Sequence, residues 1–237
     1  MKFIIDKNNF VKIESERQLQ MLRYNWHVNE NLYFIIKRQK ERRKIERPLG
    51  DNCPMLYALK KSRGLFVDDE TVEKLFSYAR DSIKDYFKTR FPFDAVIVIP
   101  SKHNIGYKLA HIIGELYQVH VITGYLMKNA PDAVINEIIH SPDIQPDTKQ
   151  RIKTAIQRNM SHLSIKGLQP EDREYVSVLV KDVAWLPINT RKVLLIDDIY
   201  ASGSTLNSAK KLVKQLSPQV EVVSALTLFS PLSKKYI

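Results

Sequence analysis

Residues 193–206 read Val193-Leu194-Leu195-Ile196-Asp197-Asp198-Ile199-Tyr200-Ala201-Ser202-Gly203-Ser204-Thr205-Leu206. The first four are apolar and two of them, Val193 and Ile196, are β-branched, which suits a strand buried on both faces of a parallel sheet. Asp197 and Asp198 follow at the C-terminal end of that strand, the edge where ligands collect in open α/β sheets. Five small or hydroxyl-bearing residues, 201–205, then lead into a helical pattern with Leu206, Ala209, Leu212, Val213 and Leu216 on one face. A loop of this kind offers free backbone N–H groups and the positive end of a helix dipole, a good seat for phosphate. Two carboxylates beside an anion cradle point to a phosphorylated polyol, with hydroxyls for the acids and a phosphate for the loop.

The same grammar recurs upstream. Residues 95–99, Ala-Val-Ile-Val-Ile, form a second buried strand, followed by Pro100-Ser101-Lys102-His103-Asn104 and a helix with Leu109, Ala110, Ile112, Ile113 and Leu116 inward. Residues 119–127 read as a further strand ending at Lys128, with Gly124 marking a bulge. Residues 220–229 form a last, continuously apolar strand. Strands alternating with helices predict an α/β fold built on a mainly parallel, twisted sheet flanked by helices.

The chain has 237 residues, enough for one large α/β domain or a core with an appendage. No apolar run reaches 18 residues, so no membrane span is expected. Lys2, Asp6 and Lys7 interrupt the first ten residues, which therefore do not read as a signal peptide. A single cysteine, Cys53, excludes an internal disulfide, and the six histidines show no ligand spacing for a protein-built metal site. A cytoplasmic protein is the simple expectation. The net charge of +11 suits either nucleic acid or strongly anionic small molecules.

Taken in order, residues 1–13 read as a hairpin, 15–25 as a helix and 31–36 as a strand. Lys37, Arg38, Lys40, Arg42, Arg43, Lys44 and Arg47 make a basic run. It reads either as a nucleic-acid backbone contact or as a solvated charged face. Residues 55–61 suit a short helix, and 69–89 a longer amphipathic one capped by Asp68 or Asp69. Residues 131–140 and 147–160 are helical within an unfamiliar stretch, 129–190, whose Lys149, Arg151, Lys153 and Arg158 are candidate anion contacts. Trp26 and Trp185 read as packing residues. Tyr200 either packs on a ligand ring or covers the sheet edge.

The stretch 193–206 resembles the phosphoribosyl-diphosphate (PRPP) loop of the type I phosphoribosyltransferases: apolar strand, acidic pair, two variable positions, then a small, hydroxyl-rich loop. Ala201 departs from the hydroxyl usual at its place. In layout the chain resembles the competence-associated ComF-like branch, without that branch's N-terminal cysteine zinc module. The resemblance implies the type I phosphoribosyltransferase fold over residues 55–237, with a helical insertion at about 129–175 and an N-terminal α+β extension, 1–54, as a hood. It implies a cytoplasmic transferase of nucleotide metabolism, moving a phosphoribosyl group from PRPP to a nucleobase or related acceptor and releasing diphosphate. Asp197, Asp198 and Lys102 would be catalytic. Ala201, Ser202, Gly203, Ser204 and Thr205 would hold the 5′-phosphate, and Ser101, Lys102, His103, Asn104 and Lys128 the diphosphate. Magnesium would be bound through substrate rather than by a protein-only site. The alternative is a regulatory or nucleic-acid-binding protein that keeps the fold as a ligand sensor, through the basic run 37–47. A homodimer is left open.

Overall fold

In the computed structural model, the described residues are 1–14, 19–39, 52–88, 90–158, 160, 163 and 167–231. Among them, six strands form the central sheet, in the order β3 (Leu22–His27), β4 (Glu30–Lys37), β10 (Val222–Ser230), β9 (Lys192–Ile199), β5 (Ala95–Val98) and β6 (His120–Ile122). Every pair is parallel except β3 with β4. The result is a mixed α/β fold with a mostly parallel sheet and, among the described residues, six α-helices.

Strand alternation sorts the core into two halves. Leu194, Ile196, Val96 and Val98 face one side, against α1 (Pro54–Leu59), α2 (Asp69–Phe87) and α3 (Ile105–Tyr117). Val193, Leu195 and Ile97 face the other, with α4 (Pro131–His140), α5 (Pro146–Gln157) and α6 (Ser204–Leu216). The sheet is therefore the middle of three layers, which is why β5 is apolar throughout and β9 is apolar from Val193 to Ile196.

From β5 the chain crosses through α3 outward to β6, whereas from β9 it crosses through α6 the opposite way to β10. Right-handed crossovers running in opposite directions put their helices on opposite faces. The C-terminal ends of β5 and β9 thus flank a topological switch point, where the two following loops splay apart and leave a crevice. The strands end level: Val98 is in register with Ile196, and the Ile99 N–H donates to the Ile196 carbonyl at 2.9 Å.

Several expectations are met. β1 (Phe3–Ile5) and β2 (Val11–Ile13) form the N-terminal hairpin, and Asp68, not Asp69, caps α2. Three readings need correction. Residues 22–25 are strand rather than helix, because Leu22, Tyr24 and Trp26 alternate with exposed Arg23, Asn25 and His27, a period of two. The segment 119–128 is not one strand. Gly124, at φ +74°, turns the chain out of the central sheet, so that β7 (Leu126–Lys128) pairs antiparallel with β8 (Leu179–Lys181) instead. Trp185 is 79% exposed, so it is not a packing residue. Between β7 and β8 lie α4, α5 and a 3₁₀ turn at Glu171–Tyr175, so the two strands form a stem for this excursion.

Candidate functional site

A cavity of about 410 Å³ opens at the switch point between β5 and β9. Its floor is the acidic pair. Because neighbouring strand residues point to opposite faces, Asp198 lies on the α1–α3 side with Leu194 and Ile196, and Asp197 on the α6 side. One wall is Ser101, Lys102 and His103 from the loop after β5. The opposite wall runs from Tyr200 through Gly203 to Leu206. Lys128 from the stem and Lys60 from the end of α1 complete the charged lining, with Leu163 and Val178 as apolar cover.

One helix, α6, starts at this cavity and another, α3, just behind its Ser101–His103 wall, and neither neutralises its own N-terminus. α6 begins at Gly203, with φ +81°, and α3 at Asn104; neither has a side-chain cap or an acidic residue in its first turn. The first N–H groups of an α-helix have no partner within it and carry partial positive charge. Glycine at position 203 is required twice over: by its left-handed backbone, and because a Cβ there would come within 2.5 Å of the Tyr200 hydroxyl oxygen. Tyr200 thus lies over the loop and forms part of the cavity wall. Around it, the Ser202 and Ser204 hydroxyls are 3.0 Å apart, and the His103 N–H donates to Ser101 Oγ at 3.2 Å.

Charge is distributed unevenly over the acidic pair. Lys60 Nζ lies 2.6 Å from Asp198 Oδ2, and the Asp198 side chain is almost wholly buried. Asp197 keeps part of its surface open to the cavity, yet its surroundings are dense and a second carboxylate is adjacent. Burial first, and then the Asp198 charge, push its carboxyl up to about 8, although the Asp198 N–H donates to Asp197 Oδ1 at 2.8 Å. Asp197 therefore holds a proton near neutral pH in the free site. The imidazole of His103 is held below its usual range by burial and then by the Lys60 charge, so it is neutral there.

Of the residues anticipated from sequence, the cavity brings together Ser101, Lys102, His103, Lys128, Asp197, Asp198 and all of 201–205. Asn104 instead faces a groove between α2 and α3 that is also lined by Phe76, Arg80 and Tyr107. Arg151 is tied to Asp172 at 2.6 Å and Lys149 to the Ile139 carbonyl at 2.9 Å, and neither lines the cavity. In the basic run, Lys37 ends β4 and Arg38 donates to the Tyr57 hydroxyl at 3.0 Å. Lys40, Arg42, Arg43, Lys44 and Arg47 lie outside the described residues. Lys60 was missed: it follows a six-residue helix 138 positions before Asp198, and no local pattern links the two.

What the arrangement can do is chemically narrow. Three lysines and the open end of α6 attract anions, while two carboxyls between them can exchange hydrogen bonds with hydroxyls. Comparison with known proteins adds little to this. No protein-family model and no curated protein matches the chain. Among solved structures, it is similar to adenine phosphoribosyltransferase of Leishmania tarentolae, at 12% identity and TM-score 0.39, over 97% of this chain and 94% of that one. It is similar at the same identity and TM-score to the adenine phosphoribosyltransferase of Leishmania donovani, over 99% of this chain and 93% of that one.

Proposed function

We propose that this protein binds PRPP and transfers its phosphoribosyl group to a nitrogenous acceptor such as a nucleobase, with release of diphosphate. The observation that carries this reading is the acidic pair set in one cavity between the unneutralised N-terminus of α6 and the Ser101–His103 loop with Lys102 and Lys128. PRPP has that pattern of groups: a phosphate at one end, a diphosphate at the other and vicinal hydroxyls between.

In this reading the 5′-phosphate sits on the N–H groups that open α6 and on the hydroxyls of Ser202, Ser204 and Thr205. The ribose hydroxyls meet Asp197 and Asp198, and protonated Asp197 can donate as well as accept. Lys102 and Lys128, with the loop 101–103, take the diphosphate. As the bond to ribose C1 breaks, negative charge grows on the diphosphate, and these fixed positive groups stabilise it.

Among the described residues, no three His, Cys, Asp or Glu side chains gather into a metal-binding group. Mg²⁺ prefers about six oxygens at about 2.1 Å, so the residues present fit it only if substrate oxygens and water supply most of the shell, with Asp197 adding an oxygen once it gives up its proton. Held in that way, the ion supplies charge against the departing diphosphate.

Calorimetric titration of PRPP with Mg²⁺ tests the reading. The wild type is expected to bind, and the double variant Asp197→Asn, Asp198→Asn to lose at least about a hundredfold in affinity. A folded wild type that binds no PRPP sinks the proposal. Acceptors are then screened by diphosphate release.

The net charge of +11 favours a second reading, a nucleic-acid-associated sensor that keeps this ligand site. It requires a salt-dependent affinity for DNA or RNA that falls when Arg42, Arg43 and Lys44 are neutralised.

A further inference from the structure

Lys60 enters the cavity from outside the strand–loop–helix units that build it. α1 begins with Pro54 and is held by buried Met55, Leu56 and Ala58, with Cys53 buried just before it. The Lys60 N–H donates to the Leu56 carbonyl at 3.3 Å, so the backbone that carries the side chain is itself fixed. About a quarter of the Lys60 side chain is exposed, against 7% for Asp198. The ammonium group thus bridges a buried carboxylate and an open anion cavity.

A carboxylate as buried as Asp198 needs a counter-charge. In a site that takes phosphorylated ligands, a divalent ion can meet that need, but here Lys60 Nζ already lies 2.6 Å from Asp198 Oδ2. A lysine supplies one positive charge with up to three hydrogen-bond donors. One donor to Asp198 leaves others for a ligand oxygen, so the same group can hold the acid and the anion together.

We infer that Lys60 is the resident cation of this site: it takes the place of a divalent ion beside Asp198, so that a sugar phosphate is held there without added metal. The inference rests on the reading of the cavity as a sugar-phosphate site. It leaves to Mg²⁺ only a role on the diphosphate.

Ribose 5-phosphate, which lacks the diphosphate, is the probe. It is titrated calorimetrically into the full chain, in EDTA and again in Mg²⁺, using wild type, Lys60→Met and Lys60→Arg. The wild type is expected to bind with affinities within about threefold of each other in the two buffers. Lys60→Met is expected to lose about tenfold or more in EDTA and to regain much of it in Mg²⁺, and Lys60→Arg to restore most metal-free binding. A purely structural ion pair would lower thermal stability without creating a metal requirement.

Wild-type binding that already requires Mg²⁺ overturns the inference, and this pair of titrations decides even if Lys60→Met does not fold. Unchanged EDTA binding by a folded Lys60→Met also overturns it. Absence of wild-type binding in both buffers removes the sugar-phosphate reading, and the inference with it. Wild-type binding that the double aspartate variant loses keeps that reading, whatever Lys60→Met does.

Discussion

The N-termini of α2 and α6 begin from the same physics and end in opposite states. Asp68 accepts from the Thr71 N–H at 2.7 Å, and Asp69 and Glu70 follow in the first turn of α2. That helix end is neutralised by its own sequence. α6 starts from a left-handed glycine, has no side-chain cap and carries no acid in its first turn. Its positive end is left to the cavity; α3 also begins without a side-chain cap or a first-turn acid. One start is tuned for stability. The other forgoes a strong local cap, typically worth about 1 kcal/mol; apart from a long 3.5 Å bond from the Ser204 N–H to Ser202 Oγ, its first N–H groups stay available for an anion.

The most direct way to break this contrast is to make α6 resemble α2. Thr205→Asp puts a carboxylate in the first turn of α6. It is expected to lower ribose 5-phosphate affinity about a hundredfold by repulsion, and to raise Tm by about 2 °C through the helix dipole. Calorimetry and a thermal melt on one preparation read both signs. Affinity kept alongside a raised Tm would mean that the N-terminus of α6 is not the anion site.

Gly203→Ala sharpens the requirement for that open start. The alanine must keep a left-handed backbone, and its Cβ displaces Tyr200. Affinity is expected to fall about tenfold, with a stability loss of about 1–3 kcal/mol in chemical denaturation. Tyr200→Phe in the same background relieves the contact with the hydroxyl and should return part of the stability.

The floor of the cavity carries a pH signature that α2 reverses. Asp197 has a folded-state value raised from 3.8 to about 8. Between those values the folded chain holds a proton that the unfolded chain has lost, so this carboxyl favours the fold at low pH and ceases to as pH rises through about 8. Asp197→Asn should therefore gain Tm relative to wild type as pH rises from about 4 to about 8, and gain no more above that. Melts at matched ionic strength across this range check it, and a constant difference would count against the buried, protonated carboxyl.

The smallest effect is expected at the closed helix end. Asp68→Ala should cost about 1 kcal/mol of stability and leave ribose 5-phosphate affinity unchanged. The bond from Thr71 holds the Asp68 carboxyl below its usual range. Its contribution is present above the unfolded value and fades as pH falls through the folded one, so wild type and variant should converge in acid.

Local patterns are legible where the periodic signal is strong and the neighbours are near in sequence. The apolar runs of β5 and β9 fixed two central strands, and the 3.6-residue stripes of α2, α3 and α6 fixed their helices. β3 is ambiguous in sequence because the spacing of Leu19 and Leu22 suits a helix, whereas Leu22, Tyr24 and Trp26 alternate as in a strand. β6 and β7 read as one strand in sequence because Gly124 suits a bulge as well as an exit from the sheet. Only the pairing of β7 with β8, some fifty residues away, decides between them.

By itself the amino-acid sequence determined the pieces that carry the candidate chemistry: two strand ends, two helix starts and the residues between them. Those depend on contacts within a few turns of chain, and periodicity records such contacts. Tertiary structure alone decided that β5 and β9 lie side by side with their crossovers running apart, so that both loops face one cavity. It alone brought Lys60 onto Asp198 and separated the environments of two adjacent aspartates. Ion pairing and burial are set by distance in space, and no spacing along the chain encodes a contact across 138 residues.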